Sequence, residues 1–146
     1  MIRRLAVLML LLVPVQVFAA DDGVTKRESP YSVPQTLDRL ETVLKERGVT
    51  VFARIDHAGE AVKVGLNLPP TQLLIFGNPR SGTPLMAAHP TIAIDLPMKA
   101  LAWQDATGKV WIGFNSADYM KKRHDLTDEQ AKSLAVVGVL IDAALK

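Results

Sequence analysis

The sequence contains no cysteine. Disulfide bonds, thiol catalysis and thiolate metal sites are therefore excluded. The sequence also lacks a Gly-rich phosphate loop, a Gly-x-Ser-x-Gly nucleophile turn, a His-x-x-x-His pair and a repeated acidic calcium loop. Each of these motifs depends on a fixed spacing of its reactive residues. The sequence therefore lacks the common signatures of nucleotide, serine-hydrolase, zinc and calcium sites.

An excess of charge of one sign is lacking as well. The chain has 17 Lys and Arg residues against 15 Asp and Glu residues. Two of the basic residues, Arg3 and Arg4, lie in a segment that we expect to be removed, which leaves equal numbers of the two signs. No basic stripe then remains to follow a phosphate backbone, and nucleic-acid binding is disfavoured.

The N-terminus has the pattern of a secretory signal peptide. Two arginines precede an uncharged, largely apolar run from Leu5 to Phe18, and Ala19 and Ala20 follow. The run is shorter than the roughly 20 residues that span a bilayer, so cleavage after Ala19 is favoured over a retained anchor. We predict residues 1–19 as the signal peptide of a periplasmic or secreted protein with no stable membrane anchor after cleavage.

The remaining sequence predicts one domain of the α+β class. Residues 20–30 are interpreted as an N-terminal arm or first strand, and residues 31–146 as a single α+β domain. The predicted element order is β-α-β-α-β-α-β-β-α. Its last two strands have the spacing of a hairpin around Ala106-Thr107-Gly108, which favours a mainly antiparallel sheet packed by helices.

Local patterns set several element boundaries. Ser32 with Gln35, and Thr127 with Gln130, have the spacing of capping boxes, and each opens a predicted helix. The C-terminal helix that starts at Thr127 is expected to run to the end of the apolar pattern. A short helix is predicted over 81–88, with Thr83 as its cap.

The chain from Tyr31 to His124 resembles the bacterial family called domain of unknown function 302. The segments that carry the resemblance are YSVPQTLDRLETVLKERG, VFARIDHAGEA, GLNLPPTQLLIFGNP, GTPLMAAHPTIAIDLPMKALAWQD and VWIGFN. The order and spacing of IDHA, FGNP and DLPMK make it specific. The resemblance implies a compact α+β domain, often dimeric and sometimes exported, and it suggests haem as one ligand because some relatives have been linked to haem binding.

Asp56 and His57 are the first candidate site residues. They follow a predicted strand, and a neutral imidazole at such a position acts as a ligand of a metal or haem iron, or as a base. The alternative is structural: Asp56 caps the following turn and His57 bonds to backbone. The resemblance at IDHA leaves both interpretations open.

The turn that contains Asn78 and Arg80 is the second candidate. The sequence Gly-Asn-Pro-Arg gives a shaped turn after a predicted buried strand, with Arg80 available to a carboxylate. The alternative is a purely structural turn. Trp103 and Trp111, expected on adjacent strands, line an apolar pocket, face a partner subunit or belong to the core.

Other chemistry-bearing residues are interpreted as structural. Met86, Met98 and Met120 are taken as core fillers, because no pair of them has a spacing that forces convergence. The basic run from Lys121 to His124 is interpreted as a solvated face of a short segment.

Three functions follow from these observations. The first is an exported domain that binds a small molecule near His57 and the Asn78 turn. Its sharpest form is non-covalent haem with His57 as axial ligand, since a Cys-x-x-Cys-His motif is absent. The second is a homodimeric interaction module. The third, least favoured, is an enzyme on a small periplasmic metabolite, with His57 as acid or base. The residues assigned to ligand binding are Asp56, His57, Asn78, Arg80 and Trp103.

Overall fold

The computed structural model describes residues 22–146, so the predicted signal peptide lies outside the described residues. Five strands and six α-helices follow one another in this part of the chain. They are β1 (Val24–Ser29), α1 (Val33–Glu46), β2 (Thr50–Asp56), α2 (His57–Lys63), β3 (Thr71–Gly77), α3 (Pro79–Ala88), β4 (Met98–Gln104), β5 (Val110–Asn115), α4 (Ala117–His124), α5 (Asp128–Leu134) and α6 (Val136–Ala144), with a 3-10 helix at Pro90–Ile94 between α3 and β4.

The five strands form one sheet in the order β1-β5-β4-β3-β2, and every neighbouring pair is antiparallel. Strands β2 to β5 pair with their sequence neighbours, whereas β1 pairs with β5 from the far part of the chain. The predicted α+β class with a mainly antiparallel sheet is confirmed. The predicted element order matches apart from the 3-10 helix and the C-terminal region, where three short helices stand in place of the single predicted one.

The predicted cap of α3 is wrong. Helix α3 begins at Pro79 and not beyond Ser81, because the side chain of Asn78 accepts a hydrogen bond from the Arg80 backbone N–H at 2.9 Å. Pro79 then occupies the first helical position, where its missing N–H costs nothing. Thr83 consequently lies inside the helix.

The C-terminal helix is interrupted at Ala135, which separates α5 from α6. The N–H groups of Ala135 and Gly138 reach carbonyls three residues earlier at 3.3 Å, a tighter turn than an α-helix makes. A methyl group on Gly138 would lie 3.4 Å from the ring of Phe114. The break therefore lets α6 approach β5 closely at a glycine.

The hydrophobic core lies on one face of the sheet, under α1 and α6. Strand residues that point to this face alternate with residues of the opposite face, as the pleat requires. The buried side chains that meet here are Leu37, Leu40 and Leu44 of α1, Leu74 and Phe76 of β3, Ala100 and Ala102 of β4, Ile112 and Phe114 of β5, and Val137, Leu140 and Ile141 of α6.

Arg54 fastens α1 to the edge of the sheet. Its Nη1 atom lies 2.6 Å from an oxygen of Asp38 and 3.1 Å from one of Glu41. Its Nη2 donates to the Pro34 carbonyl at 3.1 Å, and its Nε donates to Gln72 at 3.0 Å. Partial burial lowers the pKa of Arg54, but the hydrogen bonds to Asp38 and Glu41 outweigh that effect and raise it overall.

The opposite face of the sheet carries half-buried apolar side chains and two tryptophans. Trp103 and Trp111 lie directly across from each other on β4 and β5. A methyl group on Gly113 would lie 3.0 Å from the Trp103 ring and 3.2 Å from Val24. The indole N–H of Trp111 donates to Asp105 at 2.8 Å. We call this surface the tryptophan face.

Candidate functional site

An apolar cavity of about 190 Å³ lies between the end of β3, helix α3 and the junction of α5 with α6. Its wall contains Phe76, Leu85, Met86, Met98 and Leu140 among other side chains. Val136 also lines it and is 50% exposed, so the cavity opens to solvent beside α6. An engineered apolar cavity of about 150 Å³ is known to hold benzene. The space therefore suits one small ring or a short alkyl chain.

A β-bulge adds an aromatic wall to this cavity. The pairing of β2 with β3 shifts between Val51 and Ala53, so Phe52 is the extra residue. Bulges re-aim a side chain relative to the regular alternation of a strand. The ring of Phe52 lines the cavity, although the residue is 51% exposed. The ring lies over Gly77, where a methyl group would make ordinary van der Waals contact with it at 3.7 Å.

Three of the four polar side chains in the cavity lining lie at the start of α3, and the fourth, Ser133, lies on α5. Asn78, Ser81 and Thr83 belong to the lining. The side-chain oxygen of Asn78, Oδ1, caps α3, while its side-chain nitrogen, Nδ2, has no hydrogen bond with the described residues. Arg80 lies between two lining residues, is exposed, and makes no ion pair within residues 22–146. The predicted Asn78 turn is thus part of a cavity wall.

The structure does not bring His57 and Asn78 together. Strand β2 begins at Thr50 beside Gly77 and ends at Asp56 beside Gln72. The two candidate positions therefore lie at opposite ends of this strand, roughly 20 Å apart at about 3.3 Å per residue. A single pocket near both residues, as the sequence suggested, is not formed.

Asp56 and His57 have different surroundings from those of a catalytic pair. Asp56 caps α2 by accepting the Gly59 N–H at 3.0 Å. A methyl group on Gly59 would lie 2.9 Å from the other Asp56 oxygen, so a larger residue there would displace the capping carboxylate. His57 is the first residue of α2, is exposed, and has no hydrogen bond with the described residues. Among these residues no group of three or more metal-ligating side chains is assembled.

His57 is exposed and lies outside the apolar cavity, and haem binding through it stays a prediction. An axial histidine sits above a macrocycle that is itself enclosed by apolar side chains. His57 lines neither the apolar cavity nor the polar cleft described below. The apolar cavity has no histidine in its lining, and its volume suits a group much smaller than a tetrapyrrole.

Trp103 lies on the tryptophan face and not in the cavity. Its ring covers Gly113 of the neighbouring strand, and the residue is half-buried. Of the five residues assigned to ligand binding from the sequence, only Asn78 lines the cavity, and Arg80 is next to it in the chain. The cavity wall comes from four separate stretches of the chain, so no local motif predicts it.

The sequence interpretation missed a second cleft, which we call the polar cleft because Thr91, Arg123 and His124 line it beside two apolar residues. Pro90, Thr91, Ile94, Arg123 and His124 line a shallow space of about 570 Å³. His124 was expected on a solvated face, but its side chain is only 3% exposed. His124 can be buried because a distant residue supplies a hydrogen-bond partner: its Nε2 atom lies 2.6 Å from a carboxylate oxygen of Asp95. The two residues are far apart in sequence, and no spacing pattern links them.

Comparison with known proteins agrees with this fold. The model of the family described as domain of unknown function DUF302 matches residues 25–144. The chain belongs to this family. A crystal structure of an uncharacterised conserved DUF302 protein from Bacillus stearothermophilus superposes with a TM-score of 0.71, covering 86% of this chain and 97% of that one at 19% identity. At this identity the likeness shows the DUF302 fold alone.

Curated relatives of this DUF302 chain are longer proteins. It is 47% identical over 106 residues to the fluoride-specific ion channel FluC 1 of Brucella suis biovar 1 and to FluC 2 of Brucella melitensis biotype 1. The match covers 73% of this chain but 42% and 39% of those proteins. The chain thus spans about two fifths of the length of these relatives. Within residues 22–146, no helix is both long and apolar enough to cross a bilayer.

Proposed function

We propose that the protein is an exported domain that binds a small amphipathic molecule in the apolar cavity beside α3. The observation that carries the proposal is the lining of that cavity, which is apolar over most of its wall and polar at the first turn of α3. Binding sites for small molecules generally combine a large apolar surface with a few polar groups that fix orientation.

The chemistry at the first turn of α3 favours an anionic group on the ligand. Arg80 is an exposed cation next to the lining residues of α3, and a guanidinium forms two parallel hydrogen bonds to a carboxylate. The amide nitrogen of Asn78 offers a further donor. A molecule with one ring or a short chain and one carboxylate fits both the volume and these donors.

Benzoate and benzyl alcohol form a suitable probe pair, because they share a ring and differ in charge. We expect saturable binding of benzoate to the purified domain, followed by NMR chemical-shift changes in α3 and α6. Arg80→Gln should weaken benzoate binding and leave benzyl alcohol unchanged. Fluoride should be included in the same titration series, because the curated relatives are named as fluoride-specific ion channels. Chemical-shift changes in α3 with fluoride would favour a small ion as the ligand.

Two exposed valines of α6 provide a matched control. Val136 lines the cavity, whereas Val139 is 63% exposed and does not. Val136→Trp should fill the opening and abolish benzoate binding, while Val139→Trp should bind like the unmodified protein. Equal behaviour of the two variants would contradict the assignment of the site.

Export is proposed from the pattern of residues 1–19. We expect the full chain, expressed in a Gram-negative host, to be recovered from the periplasm with Ala20 as its first residue. Mass spectrometry of the recovered protein measures this directly. A cytoplasmic product that retains residues 1–19 would contradict the localisation.

A homodimeric module is the second candidate. The tryptophan face supports it, together with exposed side chains at the end of α2 and in the loop that follows it, at Val62, Val64 and Leu66, each at least 66% exposed. Large exposed apolar patches commonly mark protein interfaces. Sedimentation across a range of concentrations would show a dimer; a monomer at the highest concentration would contradict this candidate.

The haem and enzyme hypotheses drawn from the sequence stay predictions. Titration with hemin, followed in the Soret band, tests the first. A band of equal strength in His57→Ala would remove His57 as an axial ligand. For the second, His57 offers one exposed imidazole with no partner among the described residues, and a loss of turnover in His57→Ala would be needed to support it.

A further inference from the structure

Three side chains at the polar cleft are fixed by one another. The Nε2 atom of His124 and the Nε atom of Arg123 lie 2.6 Å and 3.0 Å from the same oxygen of Asp95. Arg123 is held a second time, since its Nη1 donates to the Tyr119 hydroxyl at 2.7 Å. Asp95 is 15% exposed and His124 is 3% exposed, so the pair is largely withdrawn from water.

Arg123 and His124 each keep one group that makes no hydrogen bond with the described residues. These groups are Nη2 of Arg123 and Nδ1 of His124. Among the described residues, every fully buried side-chain nitrogen or oxygen has a hydrogen-bond partner. Because Nδ1 of His124 has none, this atom is not fully buried. His124 and Thr91 both line the cleft, and the Thr91 hydroxyl makes no hydrogen bond with the described residues.

The carboxylate of Asp95 determines which nitrogen of His124 carries the proton in the neutral ring. An ionised carboxylate only accepts hydrogen bonds, so the Nε2 atom beside it is the donor. The Nδ1 atom then has a free lone pair and accepts a hydrogen bond from a ligand. Arg123 supplies positive charge at the same cleft, partly balanced by Asp95.

From this geometry we infer a second ligand site, in which Arg123 and His124 bind a small monoanion that also carries a hydroxyl group. The anionic oxygens accept hydrogen bonds from Nη2 of Arg123 and from Thr91. The hydroxyl of the ligand donates to Nδ1 of His124. Small hydroxy acids and dihydrogen phosphate share this chemistry. The site is separate from the apolar cavity and does not depend on the function proposed for it.

Glycolate and acetate test the inference, because they differ by one hydroxyl group. We expect glycolate to bind in the millimolar range and about tenfold more tightly than acetate, as one additional hydrogen bond in a partly desolvated site would give. Binding is followed by NMR titration of the folded domain. Titration with inorganic phosphate in place of glycolate distinguishes the two ligand types.

Variants of two adjacent cations locate the site. Arg123 lines the cleft, whereas Lys122 is exposed and does not. Arg123→Gln should weaken both glycolate and acetate about tenfold, and Lys122→Gln should leave both unchanged. Val136→Trp, which alters only the apolar cavity, should bind glycolate normally. Failure of the apolar-cavity proposal would therefore not be mistaken for failure of this one.

His124 itself provides the decisive measurement. His124→Gln should reduce the preference for glycolate over acetate to about one, since the ring acceptor is gone. If this variant does not fold, the ¹⁵N resonance of Nδ1 in the unmodified protein replaces it, and this resonance should move with glycolate and not with acetate. Equal affinity for the two acids, no saturation, or an unchanged Nδ1 resonance would overturn the inference.

Discussion

The two faces of the sheet are stabilised in different ways. Under α1 and α6, the side chains are aliphatic or aromatic and almost fully buried, and they form one contiguous cluster. On the tryptophan face the side chains are half-buried, and hydrogen bonds and a glycine hold the rings: Trp111 to Asp105, and Trp103 over Gly113. The comparison shows that close packing of buried side chains stabilises the first face, whereas a few specific contacts stabilise the second.

Adjacent leucines of β3 give the largest expected difference. Leu74 is fully buried against the helices, and Leu73 is half-buried on the tryptophan face. Leu74→Ala should lower the free energy of unfolding by about 2–5 kcal/mol, since a cavity remains in a packed core. Leu73→Ala should cost clearly less. Urea denaturation of both variants measures the difference, and equal losses would show that the tryptophan face is packed as a core.

Gly113→Ala probes the contact that orders the tryptophan face. Its methyl group would lie 3.0 Å from the Trp103 ring and 3.2 Å from Val24, so the ring must move. We expect a loss of about 1–3 kcal/mol in the free energy of unfolding, as for other overpacked sites, with a shift in tryptophan fluorescence. The double variant with Trp103→Leu should recover part of the loss. No recovery would mean that the ring is not the obstacle.

Arg54→Met tests whether polar contacts also matter on the helix-covered face. The substitution keeps an apolar stem but removes the links from β2 to Asp38, Glu41 and Pro34. We expect a loss of about 1–2 kcal/mol, because these contacts are charge-assisted but partly exposed. Arg47→Met, an exposed arginine at the end of α1, is the control and should change the stability little. A smaller loss of stability in Arg54→Met than in Arg47→Met would contradict the role of Arg54 in holding α1 against β2.

Asp105 gives the smallest effect, and it depends on pH. Hydrogen bonds from Thr107 and Trp111 lower the pKa of Asp105 to about 2 from its ordinary 3.8. Because the folded state holds the ionised form more tightly, the contribution of Asp105 is complete above about pH 4. It is lost as the pH falls toward 2. Asp105→Asn should therefore be less stable than the unmodified protein at neutral pH and should approach it near pH 2. A constant difference across this range would contradict the lowered pKa.

Local patterns predicted the elements on both faces better than they predicted the sites. The capping boxes at Ser32 and Thr127 are present, and the hairpin that pairs Trp103 with Trp111 is formed. These features depend on residues within a few positions of one another, and sequence shows such neighbours directly. The cap at Asn78 was missed because two prolines, each acceptable in a first helical turn, competed in the same segment.

The candidate sites depend on long-range contacts. Nothing near His124 in the chain distinguishes it from the lysines that precede it, and Asp95 decides its burial. Likewise, Phe52 reaches the apolar cavity through a bulge that only its pairing with β3 creates. Conversely, the Asp56–His57 pair has a conspicuous sequence but forms a helix start, where Asp56 is used as a cap. Chemical residue type alone was therefore a poor guide to the site.

The position of β1 in the sheet has a consequence for the order of folding. Strands β2 to β5 pair with their sequence neighbours across connections that are much shorter than the one between β1 and β5, which spans most of the described chain. Non-local pairing is entropically costly and forms late. A ribosome makes β1 first, yet its partner is the last strand to be synthesised. We expect the amides of β1 to show the least protection from hydrogen exchange among the five strands.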